Sequence, residues 1–409
     1  MAKKFEEIKE EEYPYELPEG WKWERLGKCV NLSANKTELF LDSTKYVGLE
    51  NIEKDTGIIK YEIGAELKSI KNVFVEGQIL YGKLRPYLNK HGIAKFKGVC
   101  STDILVFSAN NDVSNKWVDY YFNMPSFISY AISNSTGINL PRVNSKSILS
   151  YVIPIPPKET QQKIVDIIES LFAKLDIAQE KVEQVLAESE NRRSAILHNA
   201  FSGKLTEKWR KENNVSFDSW NEYKIKDIAK NIKDKYDPEK DKFLNIPYIG
   251  LEHIEKNNGI VGFSSSEGVK SIKTLFNKND VLYGKLRPYL DKHDIAEYNG
   301  MCSTDIIVYR CKLKETAIIL NYVMSTKQFI EYAVTNSKGI NLPRTSEKII
   351  SEYKLQLPLL TEQKEIVRLL DNFLSVEDKV KSTCQNTLEA IATMRKSILA
   401  KAFRGELCS

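Results

Sequence analysis

The feature that most constrains this chain is a long internal repeat. The segment LYGKLRPYL occupies residues 80–88 and returns unchanged at residues 282–290, and residues 81–107 match residues 283–309 with 19 identities in 27 positions. The same shift of 202 residues relates GINLPR at Gly137–Arg142 to GINLPR at Gly339–Arg344. Over residues 46–157 and 248–359 it gives 51 identities in 112 positions without a gap. The chain is one unit written twice, so any binding site is expected in two copies.

Length and composition indicate an ordinary globular chain with room for several domains. It has 409 residues, 42% of them hydrophobic and 28% charged, and a net charge of +5. We find no run of about 18 apolar residues and no secretory signal, so a cytoplasmic protein without membrane contact is expected. The six cysteines show neither C-x-x-C nor zinc spacing, which argues against disulfides and structural zinc. Cys100 and Cys302, at equivalent repeat positions, are expected to be buried.

Each repeat is predicted to begin with an α+β domain. Short apolar runs broken by Gly, Pro, Asn and Asp predict strands, in the first copy at residues 46–49, 73–75, 79–81 and 104–107. The helical spacing of Phe127, Tyr130 and Ala131 predicts a short helix over residues 122–133. The charged residues 1–12 are predicted to be frayed or loosely helical. The fold class is therefore α+β with mixed β-sheets.

A long helix is predicted after each domain. The first starts near Thr160, an N-cap residue behind a proline-rich stretch, and ends near Gly203; the second runs from Thr361 to Phe403. Apolar residues recur along both at alternating spacings of three and four, as in a heptad seam. The seam residues are Ile168, Leu171, Leu175, Val182 and Val185, and Leu370, Phe373, Val380, Ile391 and Ile398.

Two such seams need partners. Because a lone amphipathic helix about 40 residues long is unstable in water, and because the two helices follow each other head to tail, an antiparallel coiled coil is favoured. It would separate two pseudo-symmetric domains. The alternative is that each helix packs back onto its own domain.

The sequence shows no catalytic motif. The patterns G-x-x-x-x-G-K-[ST], G-x-G-x-x-G after a strand and H-E-x-x-H are absent, and so is the Asn/Asp-Pro-Pro-Tyr/Phe tetrad of amino-methyltransferases. The four histidines are scattered, and His91 and His293 stand beside lysines, which indicates a solvated position. Asp103 and Asp305 are predicted to cap a turn or to pair with the arginine of LYGKLRPYL. We therefore expect no catalytic residue, no cofactor and no metal.

Binding through repeated basic loops is the chemistry that remains. Arginine offers forked donors to phosphate or guanine, lysine a point charge, and tyrosine a stacking face. The candidate DNA-binding residues are Lys71, Lys83, Arg85, Tyr87, Lys90, His91, Asn139 and Arg142, and their second-copy counterparts Lys273, Lys285, Arg287, Tyr289, Lys292, His293, Asn341 and Arg344. Lys68, Lys95 and Lys97 add positive charge. For the Arg85 loop, a phosphate-binding or scaffolding role is preferred over base reading.

The order of these motifs resembles the specificity subunit of type I restriction–modification systems. The resemblance rests on LPEGW at residues 17–21, LYGKLRPYL, STDI, GINLPR, I-P-x-P and ETQQKIV, and it covers nearly the whole chain. It implies two target-recognition domains, residues 13–157 and 213–358, and two helical spacers, residues 158–203 and 359–404. In that family each recognition domain reads one half of a bipartite double-stranded DNA site.

The resemblance also implies a division of labour among subunits. The helical spacers of the family dock two modification subunits, which bring S-adenosylmethionine and methylate adenine N6, and restriction subunits can join them in an ATP-dependent nuclease. The chain itself would be a non-catalytic recognition subunit. The alternative from another class is a repeat-built scaffold that binds proteins without DNA. A stand-alone nuclease or methyltransferase is disfavoured by the missing motifs.

Overall fold

The structure is a computed structural model that describes residues 8–9, 13–54, 57–63, 67, 69–241 and 245–407. The predicted frayed lead lies almost entirely outside the described residues, as do Lys68 and Cys408. The chain divides into two compact units, residues 1–183 with 385–409 (unit 1) and residues 184–384 (unit 2). Each unit contains one copy of the repeated domain, and each is described here by itself.

Unit 1 is a mixed α+β domain with one end of each long helix. Its strands are β1 (Lys22–Arg25), β2 (Val30–Leu32), β3 (Lys36–Thr37), β4 (Lys45–Val47), β5 (Glu62–Ile63), β6 (Lys71–Phe74), β7 (Ile79–Gly82), β8 (His91–Ile93), β9 (Gly98–Cys100), β10 (Ile104–Ala109), β11 (Ser135–Thr136), β12 (Arg142–Val143) and β13 (Val152–Ile155). Its helices are α1 (Leu26–Cys29), α2 (Asn115–Tyr121), α3 (Pro125–Ser133), α4 (Ser145–Ser150) and most of α5 (Lys158–Ala187).

Unit 2 repeats this architecture. Its strands are β14 (Asn221–Lys224), β15 (Ala229–Ile232), β16 (Lys235–Tyr236), β17 (Tyr248–Ile249), β18 (Ile254–Glu255), β19 (Gly259–Ile260), β20 (Lys273–Phe276), β21 (Val281–Gly284), β22 (His293–Ile295), β23 (Gly300–Cys302), β24 (Ile306–Cys311) and β25 (Lys354–Leu357). Its helices are α6 (Ser189–Phe201), α7 (Glu207–Glu212), α8 (Ile225–Ile228), α9 (Lys314–Met324), α10 (Lys327–Thr335), α11 (Glu347–Ile350) and the first part of α12 (Leu360–Phe403).

The sheets of the two units have matching strand orders. A four-stranded antiparallel sheet runs β2-β10-β7-β8 in unit 1 and β15-β24-β21-β22 in unit 2. A second sheet, β3-β6-β9-β4-β5 in unit 1 and β16-β20-β23-β17 in unit 2, contains one parallel pair, β4 with β9 or β17 with β23. The predicted α+β class with mixed sheets is confirmed.

The central strands β7 and β10 are buried on both faces because their side chains point alternately into two different hydrophobic cores. Tyr81 and Phe107 point into a core shared with α2 and α3, whereas Leu80 and Val106 belong to the core of the five-stranded sheet. Successive side chains of a strand face opposite sides, so a continuous apolar run fits a strand covered on both sides. In unit 2, β21 and β24 divide their side chains between two cores in the same way. Cys100 and Cys302 are fully buried, as predicted.

The helix predicted over residues 122–133 is wrong in extent. The helix found here, α3, spans only Pro125–Ser133, and residues 122–124 connect it to α2, which ends at Tyr121. Proline lacks an amide hydrogen and fits the first position of a helix, so the chain breaks just before it.

The two long helices run antiparallel within each unit, as predicted. In unit 1, Asp176 of α5 pairs with Arg395 of α12, whose guanidinium also lies 5.1 Å from the Phe172 ring. In unit 2, Arg192 of α6 pairs with Glu377 of α12 at 3.0 Å, and Leu197 further along α6 packs in a cluster with the earlier residues of α12. The beginning of α5 also packs onto the domain core of unit 1. The helices thus pair with each other and contact a domain as well.

The first long helix is interrupted at Glu188, between α5 and α6. Beside the interruption, the Arg192 guanidinium donates one hydrogen bond to the Val185 carbonyl at 3.1 Å and others to the Glu377 carboxylate. A half-buried ion pair therefore occupies the helix contact where a heptad pattern would place apolar residues.

The seam residues differ in burial. Ile168, Leu370 and Ile391 are buried, and Leu171, Leu175, Val182, Val380 and Ile398 are half-buried. Val185 and Phe373 are 38% and 40% exposed, which does not fit the seam, and Leu374 is buried beside Phe373 instead. A straight α-helix drifts by about 20° per heptad against a strict seven-residue repeat, so a seam assigned by heptads moves off the buried stripe.

A buried ion pair in unit 2 joins α7 to the start of α12. The Arg210 guanidinium donates to the Glu362 carboxylate at 2.6 Å and to the Gly203 carbonyl at 2.6 Å. Glu362 is 0% exposed and also accepts a hydrogen bond from Thr206, while the Phe217 ring lies 5.1 Å from the Arg210 guanidinium.

Among the helices of the described residues, none has an apolar stretch long enough to cross a bilayer.

Candidate nucleic-acid interface

The loop after β7 has an unusual backbone. Strand β7 ends at Gly82, where a Cβ would lie 2.7 Å from the Leu49 side chain and 3.2 Å from the Lys90 carbonyl oxygen, so only glycine fits without a shift. Arg85 then adopts the left-handed conformation, with φ 52° and ψ 64°, and Pro86–Leu88 forms a single 3₁₀ turn. This conformation costs a residue with a Cβ about 1–2 kcal/mol, so the surrounding structure must hold it.

Backbone hydrogen bonds hold the loop and bring three repeated motifs together. The Lys83 amide donates to the Asp103 carbonyl at 2.8 Å, and the Arg85 amide donates to the Pro141 carbonyl at 2.7 Å. The Val143 amide donates in turn to the Lys83 carbonyl at 3.1 Å. LYGKLRPYL, STDI and GINLPR, which are far apart in the sequence, therefore form one surface.

Unit 2 contains the same arrangement. The Lys285 amide donates to the Asp305 carbonyl at 2.8 Å, and the Arg287 amide donates to the Pro343 carbonyl at 2.7 Å. Arg287 has φ 51° and ψ 66°, nearly the values of Arg85. We call the two copies the reading surfaces. They consist of Lys83, Arg85, Tyr87, Asn139 and Arg142 in unit 1, and Lys285, Arg287, Tyr289, Asn341 and Arg344 in unit 2.

The reading surfaces present charge and aromatic area to solvent. Arg85 and Arg287 are exposed, and neither guanidinium forms an ion pair with another described residue. Tyr87 and Tyr289 are 47% and 50% exposed. Such groups, held on a fixed backbone, can donate to phosphate oxygens or base edges and can stack on a base.

Asp103 does not pair with Arg85, contrary to one of the two predicted roles. Its carboxylate accepts from the Arg142 guanidinium at 2.9 Å, and the Lys83 ammonium lies 3.9 Å away. Asp305 pairs with Arg344 in the same way. The reason is the loop geometry: the neighbouring loop holds Arg85 by its backbone amide, and the backbone bridge between Leu84 and Arg142 puts Arg142 next to the aspartate.

His91 and His293 are buried, contrary to the predicted solvated position. They are 2% and 7% exposed, and the ring nitrogens of both have side-chain hydrogen-bond partners. The neighbouring lysines turn inward as well, since the Lys90 ammonium donates to the Leu49 carbonyl at 2.6 Å and Lys292 makes the equivalent bond to Leu251. These four candidates lie behind the reading surfaces.

Lys71 and Lys273 each donate a hydrogen bond to the serine two positions earlier in the chain. Lys71 is only 9% exposed, and its ammonium donates to the Ser69 hydroxyl at 2.6 Å. The Lys273 ammonium donates to the Ser271 hydroxyl at 2.7 Å and lies 5.2 Å from the Tyr248 ring. Each ammonium group therefore already has a hydrogen-bond acceptor next to its own strand, and Lys71 is buried as well.

The sequence did not predict the exposed apolar residues of the two GINLPR loops, which we call the apolar tips. Ile138 and Ile340, each beside a candidate asparagine, are 100% exposed, and Leu140 and Leu342 are 54% exposed. GINLPR contains no signal that separates an exposed isoleucine from a core one. Because burying an isoleucine is worth about 1.5–3 kcal/mol, these residues could contribute to binding if a ligand covered them.

The reading surface of unit 2 is crowded with positive charge. Burial lowers the pKa of Lys285, and the nearby positive charges of Arg344 and Lys235 lower it further. A bound anion would relieve this repulsion, which favours phosphate as a ligand. The described residues contain no cluster of acidic, histidine or cysteine side chains that could hold a metal ion.

Comparison with known proteins identifies the chain's family. A family model described as the type I restriction modification DNA specificity domain matches residues 18–187 and again residues 218–390. The chain belongs to this family. The EcoDI specificity subunit of Escherichia coli is 27% identical over 420 residues, which covers 96% of this chain and 89% of the relative. The EcoKI specificity subunit of E. coli K12 is 24% identical over 330 residues, covering 76% and 68%.

Solved structures show the same fold. The HsdS subunit from Thermoanaerobacter tengcongensis has a TM-score of 0.63 at 19% identity and covers 97% of this chain and 99% of its own. A chain from a structural study of complex assembly and conformational transition of the type I R-M system has a TM-score of 0.78 at 20% identity, covering 96% and 100%. The resemblance inferred from the motifs is confirmed, and with it the non-catalytic, DNA-specificity role of the chain.

Proposed function

We propose that this chain reads a bipartite double-stranded DNA target, with one domain for each half-site. The observation that supports this most directly is the duplicated reading surface, in which an exposed arginine, without an ion pair among the described residues, has a left-handed backbone held by the neighbouring loop. Two similar sites on one chain fit a ligand with two similar parts. Because the chain belongs to a family of DNA specificity domains, DNA is the ligand that we infer.

The candidate residues divide into two roles in this proposal. The exposed members of the reading surfaces contact DNA, with Arg85 and Arg287 as the main cationic contacts. The buried or tethered candidates support them, namely Lys71, Lys90, His91, Lys273, Lys292 and His293. Arginine donors in a fixed orientation suit phosphate and guanine alike, so orientation decides which is contacted.

The remaining parts of the proposal concern organisation and partners. Residues 13–157 and 213–358 are the target-recognition domains, and residues 158–203 and 359–404 are the spacers. The spacers dock two modification subunits, which carry S-adenosylmethionine and methylate adenine, and restriction subunits join them in the nuclease form. The match of the family model to each repeat supports this organisation.

The test uses the chain copurified with the modification subunit encoded next to it. The target is first defined by mapping methylated adenines in the host genome. Fluorescence anisotropy then compares a duplex carrying that target with duplexes in which one half-site is scrambled. We expect tight binding to the intact target and a loss of at least about tenfold for either scrambled half, since each mismatched pair costs about 1–3 kcal/mol.

Two variants assign the contacts within the same assay. Arg85→Ala and Arg287→Ala should each weaken binding, whereas Lys208→Ala, which removes an 89% exposed cation from α7, serves as the matched control. A complex that assembles but binds target and scrambled duplexes equally would contradict the proposal. Assembly without any DNA binding would favour the scaffold alternative.

A further inference from the structure

We call residues 83–89 and their copy, residues 285–291, the reading loops. Each of them ends at a buried histidine network. In unit 1, Asn89 follows the 3₁₀ turn of the loop and has a left-handed backbone, with φ 42°. The His91 Nδ1 lies 2.7 Å from the Asp119 carboxylate, and its Nε2 lies 3.3 Å from the Asn89 amide nitrogen and 3.3 Å from the Asn123 amide oxygen. Asn89 also donates to Asn123 at 3.0 Å. The last residue of the loop is thereby tied to α2 and to the turn that follows it.

Unit 2 contains an equivalent histidine network, but its carboxylate comes from the loop end and not from the helix. The His293 Nδ1 lies 2.7 Å from the Asn321 amide oxygen, and its Nε2 lies 3.1 Å from the Asp291 carboxylate and 3.1 Å from the Ser325 hydroxyl. Positions 89 and 119 hold Asn and Asp, whereas the equivalent positions 291 and 321 hold Asp and Asn. Each network therefore has one carboxylate and one amide at these two positions, exchanged between the copies.

The exchange has a physical reason. A buried imidazole is costly unless its nitrogens are hydrogen-bonded, and a carboxylate on one nitrogen fixes the protonation and orientation of the ring. Two carboxylates around one histidine would leave a buried negative charge, and no carboxylate would leave the ring unanchored. Asn and Asp both tolerate the left-handed backbone that ends the loop, so either can fill that position.

We propose that the histidine–carboxylate pair of each unit positions the reading loop for DNA, and that the acid can stand at either of the two positions. In unit 1, His91 and Asp119 are positioning residues that act through Asn89 at the loop end. In unit 2, His293 holds the loop end directly through Asp291. This inference rests on the proposed DNA-binding function.

The experiment removes the acid of unit 2 and then restores it at the other position. Asp291→Asn should weaken binding of the assembled complex to the target duplex by about tenfold or more, as expected when a charge-assisted hydrogen bond is lost. Asp291→Asn combined with Asn321→Asp recreates the acid position of unit 1 and should return affinity to within about threefold of the unaltered complex. Glu331→Gln is the matched control, because it removes an exposed acid on α10 of the same unit.

The pH dependence separates positioning from folding alone. Burial lowers the pKa of His293. The hydrogen bond and negative charge of Asp291, the hydrogen bond of Asn321 and the charge of Asp294 outweigh this effect, so the pKa lies above its ordinary value. The neighbouring Ser325 hydroxyl and the Tyr283 ring, stacked at 6.4 Å, carry no charge there. Stabilisation by the pair is complete below pH about 6.5 and is lost as pH rises through the folded pKa. Affinity should fall over that window, and Asp291→Asn should flatten the profile.

The outcomes distinguish the inference from the function on which it rests. If the unaltered complex binds its target and Asp291→Asn binds equally well, or if the double variant folds but does not recover, the positioning role is wrong while DNA recognition stands. If the unaltered complex binds no duplex, the proposed function is wrong. The imidazole NMR signals of His293 then test the network by themselves, because the double variant should move the acid-bonded proton from Nε2 to Nδ1. Should Asp291→Asn fail to fold, Asp119→Asn with and without Asn89→Asp repeats the test in unit 1.

Discussion

Replacing Arg85 by glycine should separate the stability of the reading loop from its function. Arg85 has φ 52° and an exposed guanidinium without an ion pair among the described residues. Glycine removes the cost of about 1–2 kcal/mol that the left-handed backbone imposes on a residue with a Cβ. It also makes the unfolded chain more flexible, which lowers the free energy of unfolding by roughly 0.5–1 kcal/mol. Arg85→Gly should therefore raise the free energy of unfolding of its domain by up to about 1.5 kcal/mol. Arg85→Ala keeps the Cβ and should stay within about 0.5 kcal/mol.

Both variants should weaken DNA binding despite their different stabilities. If Arg85 contacts one phosphate, its loss lowers the slope of log affinity against log salt by about 0.9. Between 50 and 200 mM salt, a fourfold change, this alters the affinity ratio by about 3.5-fold, equally on all sequences. If Arg85 reads a guanine, discrimination at one position of one half-site should relax by about 1–3 kcal/mol instead.

The assay combines denaturant unfolding with anisotropy titrations at several salt concentrations. Lys208→Ala is the control for loss of an exposed cation, and it should leave the target affinity unchanged. Unchanged affinity and salt slope in both Arg85 variants would make the residue part of the scaffold. A glycine variant less stable than the alanine variant would refute the strain argument.

Three further predictions follow from the same structure. Because residues 46–157 and 248–359 share 51 of 112 positions, the two half-sites should resemble each other on opposite strands, and two unrelated half-sites in the methylation map would contradict this. Ile138→Ser and Ile340→Ser should each weaken target binding by about tenfold without changing the salt slope, since the lost contact is apolar; equal affinity would leave the tips without a DNA role. Arg210→Met strands the buried Glu362 carboxylate and should cost about 3–5 kcal/mol in denaturant unfolding, more than the double change to methionine.

The sequence could predict elements whose cause is local. Apolar runs such as Ile79–Gly82 and Ile104–Ala109 form strands whose alternating side chains fill two cores. The repeat itself predicted two copies of the site, and the structure does bring LYGKLRPYL and GINLPR together in each. The strand predictions succeed because periodicity is a property of neighbouring residues, and the repeat is found because the sequence can be compared directly with itself.

The remaining features depend on contacts between distant residues. The neighbouring Lys90 favours a solvent-exposed His91, whereas the ring is buried and contacts Asp119 on α2, 28 positions further along. Asp103 was given a local or Arg85 partner, and its actual partner Arg142 lies 39 positions away. No periodic pattern encodes such pairings. The Phe373 assignment failed for another reason, because a heptad count ignores the drift of a 3.6-residue helix.

The two copies of the reading surface keep their geometry while their supports differ. Arg85 and Arg287 share φ values of 52° and 51°, and each amide bond to a proline carbonyl measures 2.7 Å. Behind them, the carboxylate of the histidine network is Asp119 in unit 1 and Asp291 in unit 2, which are not equivalent positions of the repeat. A left-handed backbone at an arginine costs folding free energy, and both copies have it, which favours a role for the position of the guanidinium. Differences in the DNA sequence read should then arise beside this fixed point. We expect them to originate in residues 60–66 against 262–268 and 74–79 against 276–281, where differences between the copies cluster.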